Sequence, residues 1–279
     1  MTKREFARSV GTMRSVIAVA IALSCVGCGS TVVDDVAVTA APYQGPLNAD
    51  GVVAALECDG AKPFFRTTGD YDTGLEEVKS SPEDAFDNYL EEEGFFLNAP
   101  DEGYRVERRD EDRALLSYDV GDRTKIAVVL ADGIRDYRDE VGWGVVAWAE
   151  CDLAELPGDV TDDLNVGIWE DASGRRLSVK RIHSFQGAEH CDWTDITFLM
   201  IGPGERRADW YVRDTKGEFP EFLRGTFDDD ATLPDDATST GWRRNGRELW
   251  LAHDKQAAYL VGTDDVERWP AAKEPIMCA

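Results

Sequence analysis

The chain has 279 residues and is strongly acidic, with 55 Asp and Glu against 30 Lys and Arg and a formal charge of −25. A surface of that sign repels polyanions, which argues against nucleic acid and against anionic lipid headgroups as partners. The acids are scattered among apolar residues, which make up 43% of the chain. That composition belongs to a folded domain with a solvated surface and not to an acidic disordered tail.

Residues 1–27 read as an export signal. Lys3, Arg4, Arg8 and Arg14 form a basic front, and Val16 to Leu23 is an unbroken apolar run. A run of that length spans about 12 Å as a helix, well short of the roughly 20 residues that cross a bilayer. A short apolar core, a basic front and small residues behind it mark a processed signal. The segment Ser24-Cys25-Val26-Gly27-Cys28-Gly29-Ser30 resembles the lipobox of bacterial lipoproteins, in which a small residue precedes the cysteine that receives the lipid. Cys28 is the expected lipidation site and tethers the chain to the membrane. Cys25 stands where the lipobox usually has Leu, and is itself the alternative acceptor. Removing the signal takes away a net charge of +3 and leaves 252 residues at −28.

Six cysteines occur in all. With Cys25 in the signal and Cys28 lipidated, Cys58, Cys151, Cys191 and Cys278 remain, an even set for an oxidising compartment. Four cysteines permit three pairings. Cys58–Cys151 with Cys191–Cys278 is favoured, because each bond then closes one half of the chain without crossing.

In chain order, residues 28–48 are small and polar with Pro42 and Pro46, and read as a flexible tether. A first unit covers 49–156. Its helix starts with Ser81 as N-cap, Pro82 in the first position and Glu83 and Asp84 in the first turn, and stops at Gly94. Strand-like runs follow at Gly103–Val106, Ala114–Val120, Lys125–Leu130 and Gly142–Cys151. Gly51-Val52-Val53-Ala54-Ala55-Leu56-Glu57-Cys58-Asp59 echoes Gly144-Val145-Val146-Ala147-Trp148-Ala149-Glu150-Cys151-Asp152. The reading preferred here is two apolar segments that end side by side at a shared disulfide, since nothing else repeats at that spacing. A second unit, 157–279, reads as mostly β. Ile168-Trp169 and Leu177–Ile182 flank the turn Asp171-Ala172-Ser173-Gly174. Trp242-Arg243-Arg244 and Arg247–Leu251 flank Asn245-Gly246, the strongest short hairpin signal, and Ala257–Val261 and Val266–Trp269 extend that meander. The expected fold class is α+β, a helix plus an antiparallel meander followed by a mostly-β unit.

Candidate chemistry is sparse. His190-Cys191-Asp192-Trp193 places a Cys beside a His, but catalytic Cys–His pairs meet in space and not as chain neighbours, so Cys191 is read as a disulfide partner. His183, His190 and His253 lack metal-ligand spacing. The acidic stretch Asp228, Asp229, Asp230, Asp235 and Asp236 lacks EF-hand spacing, and Asp70 to Gly74 only begins like such a loop. Solvated charge is the simpler reading of both. No GxSxG, SxxK or phosphate-cradling glycine loop occurs. Trp148, Trp169 and Trp250 sit in apolar runs suited to a core, whereas Trp193, Trp210 and Trp242 are the ones to examine for exposure. No catalytic residue, cofactor or metal is expected.

The contexts His190-Cys191-Asp192-Trp193, Thr240-Gly241-Trp242 with Glu248-Leu249-Trp250, and Val266-Glu267-Arg268-Trp269-Pro270 resemble a group of uncharacterised actinobacterial secreted or lipoprotein sequences, over most of the chain beyond the signal. That resemblance implies an address and disulfides, with no activity attached. The sequence thus leads to a lipid-anchored extracytoplasmic binding or scaffolding module of the cell envelope. Its expected partners are the membrane, through the anchor, and an envelope ligand or protein. The alternative is a carboxylate-based envelope hydrolase, which needs two acids at a set separation.

Overall fold

A computed structural model describes residues 42–60, 62–67, 77–93, 99–203 and 207–276. The lipidation site Cys28, Cys25 beside it, Asp70–Gly74, the helix stop at Gly94 and Cys278 lie outside the described residues. Strands β1 (Phe64–Thr67), β2 (Tyr104–Arg109), β3 (Arg113–Val120), β4 (Arg123–Arg135) and β5 (Val141–Glu150) form an antiparallel sheet in the order β1-β5-β4-β3-β2. Helix α1 (Ala49–Ala54) packs on one of its faces and α2 (Pro82–Glu93) on the other.

Period-two alternation divides the central strands between these helices. Leu116, Ile126, Val128, Leu130 and Trp148 meet Phe86, Tyr89 and Leu90 of α2. Leu115, Ala127, Val129, Ala147 and Ala149 meet Val52 and Ala55 of α1. In β5 the alternation slips once. Val129 pairs with Ala147 and Leu130 with Val145, so Val146 is the extra residue of a β-bulge. The bulge lets Trp143, Val145 and Trp148 share one face despite their uneven spacing.

The expected helix and four strand runs of this unit are present, and Ser81 Oγ accepts the Asp84 amide at 3.1 Å as its N-cap. The two echoing segments take different forms: the first is helical over Ala49–Ala54, the second is a strand. They meet at the Cys58–Cys151 disulfide, with Cα atoms 5.3 Å apart. Part of the stretch expected as a tether is ordered against this unit. Leu47 is buried, Tyr43 packs on the α1 face, and Asn48 caps α1 by accepting from Gly51 at 2.9 Å.

Helix α3 (Gly158–Asp163) leads into a second sheet, β6 (Val166–Gly167), β7 (Ile182–Gln186), β8 (Ile196–Ile201) and β9 (Asp209–Asp214), in that order. A third, β10 (Thr238–Arg244), β11 (Arg247–Leu251), β12 (Ala257–Val261) and β13 (Val266–Pro270), is again sequential. Leu199 and Tyr211 of the second sheet and Leu249, Ala258, Leu260 and Trp269 of the third share one core with Trp169. The opposite face of the second sheet, Ile196, Phe198, Met200, Trp210 and Val212, is covered by Phe219, Leu223 and Ile276. The described residues fall in one compact unit. At the boundary expected near 156/157, Leu153, Leu156 and Val166 are buried with the α2 face of the first sheet.

The architecture is therefore mostly antiparallel β, with 41% strand against 13% helix, so the α+β expectation holds in part, in its antiparallel sheets and its helix α2. Two of the three helices have only six residues each. A correction concerns Leu177–Ile182, expected as one strand. Asp152 draws this segment into a turn by accepting from Ser178 Oγ at 2.5 Å and the Val179 amide at 3.0 Å, and the strand begins only at Ile182. Strands β8 and β9 were not anticipated. Both faces of Ile196–Ile201 are buried, so it carries no alternation to read.

The end of α1 is fixed by a buried ammonium. Lys125, its side chain 3% exposed, donates to the Glu57 carbonyl at 2.9 Å, to Asp59 at 2.9 Å and to Glu155 at 2.7 Å. All three donors of a lysine are thereby used. Asp59 also takes Arg123, and these two cations hold its carboxyl down to about 2. Lys125→Met leaves Glu155 buried without its cation and is expected to lose about 3 kcal/mol of stability. Urea unfolding measures this, and pairing the change with Glu155→Leu is expected to recover part of the loss.

Candidate functional site

Several buried polar atoms among the described residues lack a hydrogen bond, Ser117 Oγ, Trp169 Nε1 and Tyr211 OH among them, and two neighbourhoods gather more than one polar group short of partners. The first is a row across the five-stranded sheet. Direct pairing puts Tyr104 opposite Tyr118, Tyr118 opposite Ile126, Ile126 opposite Glu150 and Glu150 opposite Phe64. Directly opposed residues share a face, so these five lie side by side on the α2 side. Phe86 and Trp148 flank the row, with the Phe86 ring 4.6 Å from Tyr104 and Trp148 6.2 Å from it.

In this apolar setting Glu150 has one weak donor, Trp148 Nε1 at 3.3 Å. Burial pushes its carboxyl up to about 7, against the pull of the Trp148 bond and of Arg66. The buried Tyr104 hydroxyl has no hydrogen-bond partner, and burial with the nearby Glu150 charge drives it well above the ordinary tyrosine range. Two such groups in one row each cost on the order of 1–3 kcal/mol. A carboxyl displaced toward neutrality by burial is the kind of group found at functional sites.

The second place lies between the two four-stranded sheets. Arg244 pairs with Arg247 across the β10–β11 turn, and Arg247 alternates with Leu249, which faces the second sheet. Arg247 meets Asp265 and, at 3.3 Å, Glu267. The half-buried Arg244 guanidinium has no hydrogen bond or ion pair among the described residues, and burial lowers its pKa while Asp162 pulls the other way. It rests against Gly167: a Cβ there would lie 2.6 Å from its Nε and would also collide with Ser184 Oγ. Arg176, likewise desolvated, donates to the Leu156 carbonyl and to Thr161 Oγ1 at 3.1 Å, and feels Glu170, Asp162 and Asp152. Arg181 lies over the Trp242 ring at 4.7 Å.

The expected site residues fall as follows. Cys58 and Cys151 are bonded to each other, and Cys191 is also disulfide-bonded, which removes it as a nucleophile. Glu155 lies within 4.8 Å of the Cys58 and Cys151 sulfurs, the one metal-type trio among the described residues, but those sulfurs are spent in the disulfide. His183 Nδ1 sits 2.8 Å from the Val179 carbonyl, and His253 is exposed. Asp228 pairs with Arg268 through backbone, while Asp229, Asp230, Asp235 and Asp236 face solvent. Trp148, Trp169 and Trp210 are buried, whereas Trp193, Trp242 and Trp250 are half-buried. Sequence reading missed Glu150, Tyr104, Ser184 and Arg244. The juxtapositions that single them out are across strands, and only the two-residue turn at Asn245-Gly246 hinted at one.

Among the described residues no helix is long and apolar enough to cross a membrane. Comparison with protein-family models, curated proteins and solved structures found no match to this chain.

Glu150 binds its proton more tightly folded than unfolded, so between about 4.5 and 7 the native state holds the extra proton. Stability from this group is full at low pH, falls as pH rises through that window, and is flat above it. Glu150→Gln is expected to flatten that part of the profile and to gain on the parent by up to about 3 kcal/mol at pH 8 relative to pH 4. Denaturant titrations of both proteins across that range measure it.

Proposed function

We propose that the chain is an extracytoplasmic binding module, lipidated on Cys28 and held at the membrane of the cell envelope, with an envelope ligand or protein as its partner and no nucleic acid. The observation that carries this reading is the Cys58–Cys151 disulfide, which closes a stretch of 93 residues with Cys151 in the buried interior. Bonds of this kind persist in oxidising compartments, and a loop of that length stabilises by about 4–5 kcal/mol on the chain-entropy model. An exported domain that depends on such a bond agrees with the signal anatomy of residues 1–27, and the signal agrees with a lipid on Cys28. The secreted and lipoprotein sequences that this chain resembles share that address.

Binding is favoured over hydrolysis by the state of the carboxylates. Glu150 has the raised pKa of a general acid, but carboxylate-based hydrolysis takes a second acid. Asp152, the carboxylate nearest it in sequence and in electrostatic effect, already accepts from Ala154, Val179 and Ser178.

Expression of the full chain in a lipoprotein-processing bacterium tests the address. The parent is expected in the membrane fraction with an acylated N-terminal Cys28 by mass spectrometry, and Cys28→Ala is expected to move it to the soluble fraction. Acylation of Cys25, or membrane retention of the Cys28→Ala variant, overturns the assignment.

A further inference from the structure

Arg244 is a half-buried charge with no hydrogen bond or ion pair among the described residues. A charge taken out of water is ordinarily paired or hydrogen-bonded, because the desolvation cost is otherwise unmet. Its hairpin partner Arg247 obeys that rule with two carboxylates. Arg244, pointing to the same side, reaches no acceptor among the described residues. Asp162 acts on it electrostatically but stays outside ion-pair distance.

Ser184 is in the same position. The residue is 3% exposed, and its hydroxyl has no hydrogen-bond partner among the described residues, its oxygen keeping a small contact with solvent. The two groups converge over Gly167, where the missing side chain leaves the room they occupy. Gly167 pairs directly with Ser184 in the β6–β7 ladder, so backbone register fixes the hydroxyl beneath the guanidinium. Arg176 places a second guanidinium nearby, itself under the pull of Glu170, Asp162 and Asp152, so Arg244 is the cation of this corner without an ion-pair partner of its own among the described residues.

Taken together, a guanidinium fork and a hydroxyl that both lack acceptors, set over a glycine, match what a carboxylate or phosphate oxygen pair requires. We propose that Arg244 and Ser184, meeting over Gly167, form a binding site for an oxyanion, with Arg244 supplying charge and two parallel donors and Ser184 a third. The carboxylate of an envelope peptide or metabolite and a phosphate share this chemistry. The site rests on the binding-module reading and deepens it by giving the ligand its class. A cationic ligand is disfavoured by Arg176, Arg181 and Arg244 together, and the neighbouring Trp242 ring already carries Arg181.

The full chain, arginine-labelled with nitrogen-15 and kept in detergent, provides the test. Sodium phosphate and sodium acetate are titrated separately at constant ionic strength while the Arg244 Nε–H resonance is followed. A saturable shift with at least one of them, at a Kd of about 1 mM or tighter, is expected. Tighter binding of acetate assigns the site to carboxylates, and tighter binding of phosphate assigns it to phosphates. Ser184→Ala is expected to weaken binding about tenfold, the loss of one hydrogen bond to a charged group. Arg244→Gln, labelled uniformly with nitrogen-15 and followed through the Ser184 amide beside the uniformly labelled parent, is expected to abolish it. A folded parent whose Arg244 signal fails to saturate with either anion, or an Arg244→Gln protein that binds as well as the parent, overturns the proposal. Neither result touches the membrane address, which the Cys28→Ala fractionation reads separately.

Discussion

The ammonium of Lys125 is the point on which the first half of the structure depends. It sits near the start of β4, buried, and ties three segments far apart in sequence: the chain leaving α1 through Glu57 and Asp59, the sheet itself, and the turn after β5 through Glu155. The Cys58–Cys151 bond lies beside it and joins the same two ends covalently. The disulfide limits the unfolded chain, whereas the lysine selects one native arrangement, because any other leaves a desolvated charge without acceptors. With that corner fixed, α1 is held against Ala147 and Ala149, and the opposite face of the sheet is left to α2.

The polar residues that stand out are those that break this pattern of satisfaction. Lys125, Asp152 and Asp214 are buried and fully engaged: Asp214, for example, accepts the Glu218 and Phe219 amides at 2.9 Å each and closes the loop after β9. Glu150 and Tyr104 on the first sheet, and Arg244 and Ser184 between the other two, are not engaged in this way. The same chain thus shows both how its folding handles buried polarity and where it departs from that practice. Some departures gather in two small clusters on different sheets, one acidic and aromatic, the other cationic, and others, such as Ser117, Trp169 and Tyr211, lie outside them.

Local signals in the sequence were legible where one face of an element is wet. The Ser81-Pro82 start of α2, the strands around Val120-Gly121-Asp122 and the Asn245-Gly246 hairpin all follow from alternation or from turn chemistry that needs no distant partner. Cysteine parity, with the preference for bonds that do not cross, led to the Cys58–Cys151 pair. Legibility failed where tertiary packing decides. Ile196–Ile201 is buried on both sides and shows no period. Leu177–Ile182 bends because Asp152 reaches it from another element. The echo is the clearest case: Gly51-Val52-Val53-Ala54 and Gly144-Val145-Val146-Ala147 are identical, yet one winds into α1 and the other extends into β5. Four identical residues do not choose between helix and strand. The neighbouring sheet does. The candidate sites belong to this second category, since pairing across strands creates them and no linear motif spells them.

The turn at Asn245-Gly246 carries more than a change of chain direction. Both residues have positive φ, 51° and 75°, the geometry of a two-residue hairpin whose twist suits the flanking strands. That loop length sets Arg244 opposite Arg247 and, through the period of two, turns both toward the second sheet. One inserted residue would preserve a hairpin and every side chain in it, yet rotate Arg244 out to solvent and bring Arg243 inward. The spacing of this turn is therefore a checkable signature: a related chain that keeps Arg244, Ser184 and Gly167 but lengthens the loop by one has the residues without the site.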